Sequence, residues 1–101
     1  MKTLNAVFAT LALTAVAGFA QADVGPDEAV RLLKAGTVMD FEVLNKAALA
    51  KHPGTTIHST ELENSYGRYI YKTELRDAKG VEWDVDLDAK TAEVLKDKQD
   101  R

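Results

Sequence analysis

The sequence predicts an α+β domain in which two N-terminal helices pack on one face of a four-stranded antiparallel sheet, in the order ααββββ. Three observations carry this. Apolar residues recur at helical spacing up to His52, and from Thr55 onward the period changes to two. Glycines 25, 36, 54, 67 and 80 fall at the joints between the patterned segments.

The first segment in the chain stands apart from this pattern. Lys2 supplies one positive charge, an uncharged stretch of 15 residues follows from Ala6 to Ala20, and Ala20-Gln21-Ala22 precedes Asp23. A basic start, a short apolar run and a small-x-small end are the features of a cleavable export leader. The run is shorter than the roughly 20 residues that span a bilayer. Residues 1–22 are therefore expected to be removed after Ala22, leaving residues 23–101 as a single domain in a periplasm or the medium beyond it. The absence of cysteine excludes a lipoprotein anchor and a disulfide framework, so packing alone must hold the domain.

The first helix starts at Gly25-Pro26-Asp27-Glu28, where proline suits the first helical position and two carboxylates meet the positive helix end. Ala29, Leu32 and Leu33 form its apolar stripe, and Gly36 supplies a left-handed stop. The second helix takes Asp40 as N-cap and carries Phe41, Leu44, Ala48 and Leu49 on one side. Pro53 ends it by disfavouring helical geometry at His52.

Residues 55–63 read as the first strand, with Ile57 and Leu62 of opposite parity, which calls for a bulge. After a turn at Tyr66-Gly67, Tyr69, Tyr71, Thr73 and Leu75 alternate with Ile70, Lys72, Glu74 and Arg76. The loop Asp77-Ala78-Lys79-Gly80 then returns the chain into Val81, Trp83, Val85 and Leu87, which alternate with Glu82, Asp84, Asp86 and Asp88. Pairing Asp77 with Val81 sets Leu75 opposite Trp83, Thr73 opposite Val85 and Tyr71 opposite Leu87 on the apolar face. On the other face Arg76 meets Glu82, Lys72 meets Asp86, and Glu74 meets Asp84 as a like-charge pair. The last strand is expected from Glu93 to Lys96.

These segments, taken together, are familiar. The run Ala47-Ala48-Leu49-Ala50-Lys51-His52-Pro53-Gly54, then Gly67-Arg68-Tyr69-Ile70-Tyr71, then Lys79 to Ala89, then Val94-Leu95, resembles the PepSY domain. The resemblance covers roughly residues 40 to 97. It departs at Ala92, where that family usually has glycine; a left-handed residue there would cost alanine about 1 kcal/mol. The resemblance implies a non-enzymatic module of the kind found in propeptides of secreted metallopeptidases, and it brings no catalytic residue set with it.

The remaining chemistry is sparse. Between residues 23 and 101, 12 lysines and arginines against 16 aspartates and glutamates give a net charge of −4, which argues against a nucleic-acid binder. Asp84, Asp86 and Asp88 suggest calcium, but an EF-hand loop begun at Asp84 places Ala89 and Leu95 where glycine and glutamate belong. His52 and His58 lack the spacing of a zinc pair, and Ser59 and Ser65 lack a nucleophile elbow. No cofactor, metal set or catalytic residue is expected. The expected function is binding of a protein partner, an exported peptidase by resemblance, through the open sheet face or by strand addition at an edge. The residues assigned to that face are Ile70, Lys72, Glu74, Arg76, Glu82, Asp84 and Asp86. The alternative is a small sensor or carrier that holds a cation or ligand on the acidic row 82–88.

Overall fold

The computed structural model describes residues 21–100. Most of the expected leader, residues 1–20, lies outside the described residues. The elements are β1 (Ala22–Asp23), α1 (Pro26–Ala35), α2 (Phe41–Lys51), β2 (Thr56–Ser65), β3 (Arg68–Arg76), β4 (Glu82–Asp88) and β5 (Val94–Gln99). The sheet is antiparallel throughout, in the order β1-β2-β3-β4-β5.

The α+β class and the two helices hold, but the sheet has five strands where four were expected. The additional strand is two residues long, with Ala22 opposite Asn64 and Asp23 opposite Glu63. So short a strand has no periodicity to read; it exists because an edge of β2 is there to receive it. The last strand also runs to Gln99, beyond the expected Lys96.

Both helices end as their sequences dictate. Asp40 accepts the Glu42 N–H at 2.9 Å, and α2 closes at His52, whose carbonyl accepts the Thr55 hydroxyl at 2.6 Å. Gly36, at φ 74°, stops α1 in the left-handed conformation, and the Gly36 and Thr37 amides cap the Leu33 and Leu32 carbonyls. The two helices contribute unequally. α2 lies over β2, β3 and β4 and buries Leu44 and Ala48, whereas α1 buries no residue fully and leans Ala29, Leu32 and Leu33 against the core.

The core is Leu44 and Ala48 from α2 against Leu62, Tyr71, Leu75, Val85, Leu87 and Ala89, with Val38 from the link between the helices. Every pair expected across the β3–β4 hairpin is present, because the loop closes with the Asp77 N–H on the Val81 carbonyl at 3.0 Å. The bulge expected in β2 falls between Ile57 and Ser59. Polar atoms inside the sheet are satisfied: the Thr73 hydroxyl donates to the Val85 carbonyl at 2.8 Å, and the Tyr71 hydroxyl to Asn45 Oδ1 at 2.6 Å. Phe41 stacks on Tyr71 at 5.3 Å between centroids. At the other end of α2, His52 stacks on Trp83 at 4.6 Å and meets Asp97 of β5 at 2.7 Å. His52 thus has a structural role, joining the end of α2 to both β4 and β5.

The turn into β5 has the left-handed residue at Ala92, with φ 67°. Glycine there is expected to raise stability by about 1 kcal/mol. Urea unfolding of Ala92→Gly measures it, and an unchanged or lower midpoint refutes it.

Candidate functional site

Helices cover one face of the sheet, and among the described residues the other face carries no helix. All seven residues expected there lie on it. Ile70, Lys72, Glu74 and Arg76 come from β3, and Glu82, Asp84 and Asp86 stand opposite them on β4. Alternation makes this placement inevitable once Tyr71, Thr73, Leu75, Val85 and Leu87 are buried on the other side.

The tertiary structure widens the face at both flanks. Glu61 and Glu63 of β2 lie beside Lys72 and Ile70, and Lys96 and Lys98 of β5 beside Asp86 and Asp84. One row therefore reads Glu61, Lys72, Asp86, Lys96, with charges alternating across four strands. A shallow depression of about 220 Å³ lies over this row and its neighbours Ser59, Glu74 and Asp84. The flanking residues were missed in the sequence because two bulges, at Ile57/Ser59 and Asp86/Leu87, break the parity that would have assigned them.

Most of the charges are matched within the face. Lys72 Nζ is 3.6 Å from Glu63, Arg76 Nη2 is 3.1 Å from Glu82, and His58 Nε2 is 3.8 Å from Glu74. Glu82 is buried by this pairing, whereas the Lys72 and Arg76 side chains keep 40% and 41% of their surface. The like-charge pair Glu74–Asp84 is present as expected. Desolvation pushes the Asp86 carboxyl above the usual aspartate range, against the pull of Lys72 and Lys96. Glu61 is also raised, by desolvation first and then by the neighbouring Asp23 carboxylate.

Asp88, opposite Ile70, belongs to the same face by alternation but does different work. Its carboxylate accepts the Lys90 and Thr91 amides at 2.8 and 3.2 Å and pairs with Arg68 at 3.1 Å. Burial alone would raise its pKa; the Lys90 amide, Arg68 and the Thr91 amide outweigh that and hold it below the ordinary value. Next to it Ala89 is fully buried, donating to the Tyr69 carbonyl and accepting from the Met39 amide. This Asp-Ala pair ties the end of β4 to β3 and to the interhelical link, so it is structural.

Two acidic groups bring three carboxylates close together: Asp23, Glu61 and Glu63, and Glu74, Glu82 and Asp100. Asp84 and Asp86, the centre of the cation alternative, fall in neither.

The family model for the peptidase propeptide and YPEB domain, PepSY, matches residues 41–98, from the start of α2 to within β5. The chain belongs to the PepSY family. Comparison with curated proteins and with solved structures gives no match. Membership accounts for the closed part of the fold: α2, the three long strands and the Asp88–Ala89 turn all lie inside the matched PepSY segment. β1 and α1 precede it. PepSY domains are generally non-catalytic modules related to propeptides and inhibitors. Among the described residues no helix is long and apolar enough to cross a membrane.

Proposed function

We propose that this PepSY domain is an exported, non-enzymatic module that binds a peptidase of the same compartment and restrains it, using the open face of the sheet. The single observation that carries the reading is the face itself, with Lys72, Asp86 and their neighbours left uncovered by either helix in a family of peptidase-linked modules. A row of alternating charges fixes the register of a complementary surface and penalises wrong partners. Ile70, partly exposed like Lys72 and Glu63 beside it, gives the face an apolar point among charges. Residues 1–22 are the export leader in this reading, removed after Ala22. The working form, residues 23–101, loses the Ala22–Asn64 pair of β1 and keeps Asp23 opposite Glu63 and the Val24 amide on the Leu62 carbonyl.

The test begins with the protein immobilised and exposed to extract of the exported compartment, and retained proteins are identified by mass spectrometry. A retained peptidase that is also slowed in a direct assay supports the proposal; empty beads across a range of salt overturn it. Reversing Lys72 and Arg76 to glutamate is expected to weaken binding by about tenfold or more. Arg76 compensates the buried Glu82, so its reversal is expected to cost fold stability, whereas Lys72→Glu alone acts at a side chain that keeps 40% of its surface. Thermal unfolding of each variant accompanies the binding assay. Unchanged affinity in a folded variant removes the open face from the proposal.

A further inference from the structure

We propose that the outer edge of β2, from Thr56 to Glu61, takes up a short, extended, basic segment of a partner polypeptide as an added strand. This deepens the reading above by naming a second mode of contact, and it rests on that reading only for the partner's being a protein.

β2 has β3 along one side for its whole length, but on the other side β1 covers only Glu63 and Asn64. One further contact, the Val24 amide on the Leu62 carbonyl at 2.8 Å, closes that cover. The chain then turns away at Gly25-Pro26 into α1. In an antiparallel ladder the outward N–H and C=O groups recur every second residue. Since the Leu62 carbonyl faces outward, so do the Thr60 amide and carbonyl, and there the structure describes no strand beyond. Thr60 is exposed although it stands opposite the buried Thr73, so α2 does not cover this part of the inner face either.

The two edges of the sheet are guarded differently. β5 presents Lys96, Asp97 and Lys98, charges of the kind that discourage pairing. Thr56, Ile57, His58, Ser59 and Thr60 of β2 include no lysine and no acid, and only the bulge at Ile57/Ser59 interrupts them. That bulge limits the added strand to a few residues. Asp23 and Val24, which remain after cleavage at Ala22, already show that this edge accepts an extended segment, and the vacant stretch continues directly from them.

Charge selects the occupant. Asp23, Glu61 and Glu63 crowd three carboxylates at the upper end of the vacant edge. The raised Glu61 carboxyl reflects that crowding after the cost of desolvation. A second copy of the chain would bring another acidic group to the same edge, so self-pairing is disfavoured. A lysine or arginine on an incoming strand would relieve it.

The probe is a seven-residue peptide of alternating lysine and threonine, capped at both ends, with a glutamate-for-lysine counterpart. Both are titrated against the purified protein by amide NMR. The lysine peptide is expected to shift the Thr60 and Glu61 amides, to slow Thr60 hydrogen exchange, and to bind about fivefold tighter than the glutamate peptide. Thr60→Pro, which removes the outward amide without touching the ladder to β3, should abolish those shifts. Should Thr60→Pro fail to fold, Glu61→Lys tests the same edge with the backbone intact, and the preference between the peptides should fall or reverse. Shifts centred on Lys72 and Asp86, equal binding of both peptides, no binding, or concentration-dependent pairing of the protein with itself would each overturn the proposal. Peptide binding without a captured peptidase would leave the edge in place and remove the peptidase reading. A captured peptidase indifferent to Thr60→Pro and Glu61→Lys, with no peptide binding, would do the reverse.

Discussion

Leu75→Ala is expected to lower stability by about 3 kcal/mol, a large share of what a domain of this size holds. Leu75 is fully buried under α2, between Ile57 on β2 and Trp83 on β4. Truncation removes apolar transfer energy and leaves a cavity that three strands and a helix cannot close. Its chain neighbour Glu74 points to the other face, so Glu74→Ala is expected to change stability by less than about 0.5 kcal/mol. Urea unfolding of the pair checks both. Equal effects at the two positions would mean that the sheet is covered on both faces, and the open-face proposal would fall with that result.

Asp88→Ala is expected to cost about 2 kcal/mol near neutral pH, because two backbone amides and Arg68 lose a charged acceptor together. The loss should depend on pH with a definite sign. The folded Asp88 pKa lies below the ordinary aspartate value, so its contribution is present above about pH 4 and fades as pH falls through the depressed value. The substitution should therefore cost most at neutral pH and progressively less in acid. Asp86 behaves oppositely. Its folded pKa is raised, so its favourable contribution is full below about pH 4 and is lost as pH rises through the raised value. Asp86→Asn is accordingly expected to stabilise at neutral pH, with the gain disappearing in acid. Denaturation midpoints measured across the acid range test both signs, and parallel curves for the two variants and the parent would refute them.

The hairpin of β3 and β4 was legible because two strict alternations flank a loop closed by Asp77 and Val81, and a one-residue slip would turn every apolar residue outward. The bulge in β2 was legible from the parity of Ile57 and Leu62. Other features were not. β1 has two residues and no pattern, and β5 runs on through Lys96 to Gln99 without apolar alternation, so both are held by the strand beside them. At Ala92 the sequence stood against the conformation: alanine holds φ 67° because the Ala92 amide on the Asp88 carbonyl and the Asp88 amide on the Glu93 carbonyl fix the turn around it.

The candidate face divides the same way. The sequence by itself determined the α+β class, the apolar and charged faces of the hairpin, and the seven residues that share the charged face, because side-chain alternation is a local property of the strand. Only the tertiary structure decided that Glu61, Lys96 and Lys98 flank those residues, that α2 does most of the covering, and that β1 stops short along β2. Those outcomes depend on which strands meet and where a neighbour ends, and pairing between distant segments leaves no local period in the chain.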